Sequence, residues 1–345
     1  MNPFDREKTS YELHGVRSRA IDETPELLEH SLKCFDDEIL KLPLREKKQH
    51  EYCMQMNSTY ILSSLFRLRF LRAEFFDAKK AAIRYCRCLD MLVDYFGEYA
   101  LFRQLFLTDL DKNELRFLKE GDMQLLPARD TLGRRLLVFV GGDSPSKVRD
   151  KVGLFLIFQA VAEDVTTQRN GLVSIHLMCE EVKLAMTNNR SPSQHQKFFT
   201  DVLAAAPIRW SGMHMCFPDE GVYRFLKPLM LFVVGEAARR VLRVHSGSRT
   251  ECDYSLSSFG IPLEDIPCTN TGTVKLKNHQ RWIKVRLKVE KFIKDQAQDD
   301  YFRYYGRCNE IIPFPKIQCP EIDCVVSIVL YCTKQKYTTQ STEVN

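Results

Sequence analysis

Between residues 120 and 246, short apolar runs of strand type alternate with longer runs of helix type, and this order is the strongest constraint on the fold. The first two strand runs flank a turn at Asp130–Gly133. The runs that follow are a helix at 146–165, a strand at 171–179, a helix at 191–206, a strand at 208–217, a helix at 222–240 and a strand at 240–245. Because strands that alternate with helices pair side by side under a helical cover, we predict an α/β fold with a mostly parallel sheet.

The first hundred or so residues have helical spacing instead. Thr24 is typical of a helix N-cap and Pro25 of a first helical position. A second helix is predicted at about 58–74, and Asp77 is expected to cap a third helix that ends at Gly97. We therefore predict an N-terminal helical domain ahead of the α/β domain.

These changes in pattern divide the chain into four parts. They are a leader and first helix over 1–57, a helical domain over 58–118, an α/β domain over 119–275, and a charged helix with an irregular tail over 276–345. The charged helix is expected at about 277–297.

Composition favours a globular protein of the cytoplasm. The N-terminus lacks the apolar segment of a secretory signal, and no window reaches the roughly 18 uninterrupted apolar residues of a membrane span. The twelve cysteines are scattered, without the close pairs that zinc sites favour, so we expect reduced thiols and no metal. The formal net charge of +5 favours an anionic surface only where cations cluster.

No motif of a known enzyme class is present: the chain has no nucleophile elbow, no phosphate-binding loop and no dinucleotide fingerprint. His176 and His214 lie on neighbouring predicted strands. They are interpreted as hydrogen-bonded core residues, as polar groups that orient a ligand, as metal ligands, or as the acid–base groups of an uncharacterised enzyme. We expect no enzymatic activity and no cofactor.

The most apolar segment is "VYRFLKPLMLFVVGEAARR" at 222–240. At helical spacing, one face carries Val222, Phe225, Leu226, Leu229, Met230 and Val233. Arg224 and Lys227 mark the other side, and Leu231 lies between them. This pattern is typical of a helix buried on most sides. It also fits a helix that covers an apolar cavity and touches a membrane through Arg224, Lys227 and Leu231.

Two neighbouring features fit a lipid site. Met213, Met215 and Phe217 alternate along a predicted strand, which suits an irregular apolar ligand as well as an ordinary core. Arg239, Arg240 and Arg243 follow the apolar segment. They either complement a helix C-terminus or form an anion site for a lipid phosphate.

Residues 68–81, "LRFLRAEFFDAKKA", resemble the N-terminal helical signature of the CRAL-TRIO family, lipid-exchange proteins that include the tocopherol and retinaldehyde carriers. Further segments resemble the family in its order: the strand at 133–140, the central strand, the Pro-x-Arg segment and strand at 206–217, the gate helix at 222–240 and the closing turn at 259–272. The resemblance covers about 58–290.

The resemblance implies a hydrophobic pocket between a sheet floor and a mobile gate helix, holding one lipid-like molecule without covalent chemistry. The expected lining is Leu137, Phe139, Phe155, Phe158, Ile175, Leu177, Met213, Met215, Phe217, Phe225, Leu229 and Val233. Ala206 replaces an aromatic residue of the family, and Ile208 replaces the acidic residue of phosphoinositide-binding members. Phosphatidylinositol binding therefore stays open.

We accordingly predict a non-enzymatic protein that binds a small hydrophobic ligand or phospholipid and transfers it between membranes. It is expected to be a monomer that contacts membranes peripherally and binds no nucleic acid. The alternative is an interaction scaffold with a degenerate pocket, in which the arginines at 239–243 bind an acidic partner.

Overall fold

The computed structural model describes residues 20–140, 146–178, 192–219, 239, 241–269 and 273–304. The predicted gate helix, with Arg224, Phe225, Lys227, Leu229, Leu231 and Val233, lies outside the described residues, as do Arg240, the leader before residue 20 and the tail after residue 304.

The N-terminal part is helical, as predicted. Its helices are α1 (Pro25–Lys41), α2 (Lys48–Gln55), α3 (Ser64–Ala73), α4 (Ala78–Phe96) and α5 (Lys112–Glu120), with 3-10 turns at Leu44–Glu46, Glu98–Leu101 and Leu107–Asp109. The Thr24 side chain accepts a hydrogen bond from the Leu27 amide at 3.2 Å, and the Asp77 carboxylate accepts one from the Lys80 amide at 3.0 Å. Both predicted caps are therefore confirmed.

The predicted helix at 58–74 is too long at its start. Helix α3 begins at Ser64, because the Ser63 hydroxyl accepts a hydrogen bond from the Phe66 amide at 3.2 Å and caps the helix there. Asn57 has a φ of 52°, which turns the chain after α2. Helices α2 and α5 were not predicted.

The second part is an α/β layer. The strands are β1 (Met123–Arg129), β2 (Arg135–Val140), β3 (Leu172–Leu177), β4 (Trp210–Phe217) and β5 (Leu242–Ser246). They follow one another in sheet order, with β1 antiparallel to β2 and all other neighbours parallel, which confirms the predicted α/β class. The helices are α6 (Ser146–Glu163), α7 (Val165–Asn170), α8 (Pro192–Ala205), α9 (Arg249–Ser258) and α10 (Lys277–Tyr304), with a 3-10 turn at Leu263–Asp265.

One large core joins the helical part to one face of the sheet. Tyr85 of α4 makes edge-to-face contacts with Phe35 of α1 and Phe70 of α3, at centroid distances of 5.4 and 5.3 Å. The same buried cluster continues into α6 and into Leu137 of β2. Helix α9 covers the opposite face of the sheet, where Leu256 packs in a separate aliphatic cluster.

Two of the segments that carry the family resemblance, 68–81 and 206–217, meet at the joint between the two parts. Phe75 and Phe76 have left-handed φ values of 51° and 63°, and they form the corner between α3 and α4. The Arg209 guanidinium lies 4.1 Å from the centre of the Phe75 ring and donates to the Arg72 carbonyl oxygen at 3.1 Å. Burial lowers the pKa of Arg209 to about 10, so this group stays charged at neutral pH. Arg209 therefore ties the helical corner to the start of β4.

Candidate functional site

The strand register decides which side chains share a surface. Ser174 of β3 pairs with Met213 of β4. Two residues further along each strand, His176 pairs with Met215 and also with Phe139 on β2. Because directly paired residues point to the same side of a sheet, these positions form one surface. We call this surface the methionine face, and it comprises Leu137, Phe139, Ser174, His176, Met213, Met215, Phe217, Leu242 and Val244.

The β4–β5 end of the methionine face has its own apolar cluster. Met213, Met215 and Phe217 are buried with Leu242, and this cluster is separate from the large core. Phe199 on α8 packs at its margin and is partly buried. Methionine side chains are unbranched and polarizable, so this surface can adapt to an irregular apolar molecule.

An aromatic pair lies beside that cluster. The rings of Phe139 and His176 are parallel within 1°, with their centroids 4.3 Å apart, and both residues keep some solvent exposure. Burial, assisted by the positive charge of Arg149, lowers the pKa of His176 to about 4. The imidazole is therefore neutral at physiological pH. A neutral imidazole carries one hydrogen-bond donor and one acceptor, which suits a polar group of an otherwise apolar ligand.

Ser174 adds a second polar group to the same face. Its side chain is 1% exposed, and its hydroxyl has no hydrogen-bond partner within the described part of the chain. A buried hydroxyl without a partner costs free energy, so such a group is expected where a ligand supplies the bond. Sequence reasoning missed Ser174, although its position two residues before His176 places it on the same face.

Two of the expected lining residues, Phe155 and Phe158, lie on α6 in the large core, whereas Leu137 lies on the methionine face opposite Ser174 and packs into that same core. All three side chains are buried in the cluster that continues into the N-terminal helices. The Phe158 ring contacts the Phe96 ring edge to face, at a centroid distance of 6.3 Å. These side chains support the sheet from the helical side.

Ile175 and Leu177 lie on the opposite face of the sheet from Met213 and Met215, contrary to the predicted lining. Both pack in the aliphatic cluster that includes Leu256 of α9. Successive side chains of a strand alternate between faces, so they cannot line the same surface as their neighbours Ser174 and His176.

The predicted anion site is described only at Arg239 and Arg243. Arg239 is exposed, whereas Arg243 lies on β5 next to His214 in the register, on the side away from the methionine face. Its guanidinium donates to the Leu242 carbonyl oxygen at 2.9 Å. Arg243 therefore does not extend the methionine face, and Arg240 lies outside the described residues.

His214 agrees with the interpretation as a hydrogen-bonded core residue. Its Nδ1 lies 3.0 Å from Nε2 of His245, and the two buried rings are stacked with centroids 5.3 Å apart. Phe259 contacts the His214 ring at 4.8 Å. The two histidines singled out from the sequence thus lie on opposite faces of the sheet.

The described ranges include neither a candidate membrane span nor a candidate metal cluster. No helix there is both long and apolar enough to span a bilayer, and no group of three or more potential ligands is placed to hold a metal ion. The seven cysteines of these ranges are free thiols.

Comparisons with known proteins find a distant structural similarity. No family model matches the chain, and no curated protein matches it. Among solved structures, one titled "Crystal structure of Sfh5" is similar, with a TM-score of 0.43 and 9% identity over 78% of this chain and 100% of that chain. A likeness this distant carries no argument about function, so the fold assignment rests on the strand order and pairing.

Proposed function

We propose that this protein binds a small hydrophobic ligand or a phospholipid against the methionine face and transfers it between membranes without covalent chemistry. The carrying observation is the separate cluster of Met213, Met215 and Phe217, which adjoins a neutral imidazole and the Ser174 hydroxyl, for which the described residues offer no partner. An apolar surface with a few polar groups is typical of a ligand site. The resemblance of residues 68–81 to the CRAL-TRIO signature supports the same class of ligand.

Burial of an acyl chain supplies the binding energy. Each buried methylene contributes about 0.8 kcal/mol, so a partly buried chain outweighs several surface ion pairs. His176 and Ser174 offer hydrogen bonds to the ligand's polar end. In this proposal, residues 222–234 cover the ligand and open at a membrane, and the protein works in the cytoplasm as a monomer.

The first experiment identifies the bound ligand. The purified full-length chain is extracted with organic solvent, and the extract is analysed by mass spectrometry before and after incubation with phospholipid vesicles. We expect a stoichiometric lipid-like molecule. An extract without lipid, together with no uptake from vesicles, would contradict the proposal and favour an interaction scaffold, which a pull-down would then test.

The second experiment tests whether the proposed covering segment, residues 222–234, contacts the membrane through Leu231. Leu231→Asp is expected to slow lipid transfer between vesicles and leave the melting temperature nearly unchanged, because Leu231 is proposed to touch the membrane. Leu132→Asp is the matched control, since Leu132 is 37% exposed on the β1–β2 turn and is not part of residues 222–234. A melting temperature lowered by several degrees in Leu231→Asp alone would show that Leu231 is a core residue.

A further inference from the structure

Helix α10 carries a stripe of cations that the proposed function does not use. The stripe comprises Lys277, Arg281, Lys284, Lys288 and Lys291, and all five side chains are exposed. Their spacings of four, three, four and three residues place them within roughly 80° of the helix circumference, over about 21 Å of its length. We call this surface the basic stripe.

The opposite side of α10 is fixed to the rest of the molecule. His279 donates from Nε2 to the Leu118 carbonyl oxygen at 2.5 Å, and Glu290 accepts from the Leu107 amide at 2.5 Å. Arg286 is buried and donates to the side-chain oxygen of Gln159. These bonds set the rotation of the helix about its axis, so the basic stripe faces solvent.

The charge of the basic stripe is not neutralised locally. Residues 273–294 contain eight basic residues and one acidic residue, and that residue, Glu290, is buried on the far side. None of the five cations forms an ion pair within the described part of the chain. The whole chain has a net charge of only +5, so the rest of it is slightly acidic. Like charges three and four residues apart repel, and an anionic partner would relieve that repulsion.

We propose that the basic stripe docks on the surface of an anionic membrane. Four of its five cations are lysines, which act as point charges and suit a diffuse layer of lipid headgroups better than the paired contacts of arginine. Leu287 lies beside the stripe and is 44% exposed, so it can insert among the headgroups. Among the described side chains of 277–295 no aromatic residue is exposed to stack on nucleic-acid bases.

This surface is distinct from the ligand site. Helix α10 packs against β1, at the edge of the sheet opposite β5, whereas the methionine cluster lies on β4 and β5. Docking through α10 therefore does not depend on ligand binding. A protein with an empty ligand site is still expected to bind anionic vesicles.

The test is co-sedimentation of the full-length chain with vesicles. We expect binding to phosphatidylcholine vesicles that contain phosphatidylserine, little binding to phosphatidylcholine alone, and release as salt shortens the Debye length. Each cation near the surface contributes about fivefold in binding, so Lys284→Glu with Lys288→Glu is expected to weaken it on the order of a hundredfold. Lys284→Gln with Lys288→Gln should weaken it less, by about twentyfold.

The matched control is Lys79→Glu with Arg87→Glu, two exposed cations on α4. It changes the net charge by the same amount and is expected to keep wild-type binding. Circular dichroism checks that every variant is folded, and the glutamine pair replaces the glutamate pair if the latter unfolds. Equal loss in stripe and control variants, salt-independent binding, or tighter binding to a single-stranded oligonucleotide than to anionic vesicles would overturn the proposal.

Discussion

The two faces of the sheet are built from different kinds of side chain. Behind β2 and β3, facing α9, the cluster contains Val138, Val173 and Ile175, which are β-branched and stiff. The methionine face carries flexible Met213 and Met215 beside polar groups. Stiff side chains specify one packing arrangement, whereas flexible ones tolerate several shapes of neighbour. The side that faces α9 is thus suited to one fixed packing arrangement, and the methionine face is suited to binding a ligand.

Polar groups differ between the faces in the same way. On the α9 side, His214 and His245 hydrogen-bond to each other. On the methionine face, the Ser174 hydroxyl has no partner within the described part of the chain. Paired polar groups stabilise a core, while an unpaired one is more useful where a ligand arrives.

The largest effect is expected on the aliphatic face. Ile175→Ala should lower the free energy of unfolding by about 2–5 kcal/mol, because it leaves a cavity in a packed core. Lipid uptake per folded molecule should stay at the wild-type level. Urea denaturation and extraction of the folded fraction measure the two quantities, and a parallel loss of uptake would put Ile175 at the ligand.

The next effect is pH dependence at His176. Its pKa is about 4 in the folded state and 6.5 ordinarily, so the unfolded chain binds the proton first as pH falls. The wild type should therefore lose up to about 3 kcal/mol relative to His176→Gln between pH 7 and pH 4. Denaturant titrations at several pH values check this, and a constant difference between the two proteins would refute the shift.

Replacing one residue on each face by phenylalanine tests whether the two faces are packed equally tightly. Ile175→Phe should cost about 1–3 kcal/mol of unfolding free energy, because it overpacks a filled core. Met215→Phe is expected to cost less than Ile175→Phe and to reduce lipid uptake, since the larger ring occupies space proposed for the ligand. Thermal melts measure the change in stability, and uptake from vesicles measures the change in lipid binding. Equal destabilisation by both changes would mean that the two faces are packed alike.

The smallest effect is expected at Ser174. Ser174→Ala removes a buried hydroxyl without a described partner, so stability should change by less than about 1 kcal/mol and in the stabilising direction. If a ligand supplies the missing bond, the same variant should bind it more weakly. A clear loss of stability in ligand-free protein would instead reveal a partner within the chain.

The sequence predicted most of the long helices and the strands, but it did not predict which side chains share a face of the sheet. Strand and helix alternation gave the sheet class, and Thr24 and Asp77 marked true helix starts. In strand β3, Val173, Ile175 and Leu177 alternate with Ser174 and His176, so the pattern separates the two faces but does not reveal which layer each face meets. Only the register with β4 assigns Ser174 and His176 to the methionine face.

Short helices were missed for a different reason. Helix α5 has nine residues, which is too short for a convincing apolar period, yet its capping box was readable. Asp111 caps the helix, and Glu114 bonds back to the Asp111 amide at 2.8 Å. A search for capping pairs would have located α5 where periodicity alone did not.

The contacts of Arg209 between the two parts have a consequence for how the protein unfolds. Its guanidinium bonds to the carbonyl oxygens of Arg72 in the helical part and Arg169 after α6, and its ring contact fixes Phe75. Detaching the helical part would break the bond to Arg72 and the contact with Phe75, and it would open the large core that the two parts share. The helical and α/β portions should thus melt as a single cooperative unit, and a protease is not expected to release one intact from the other.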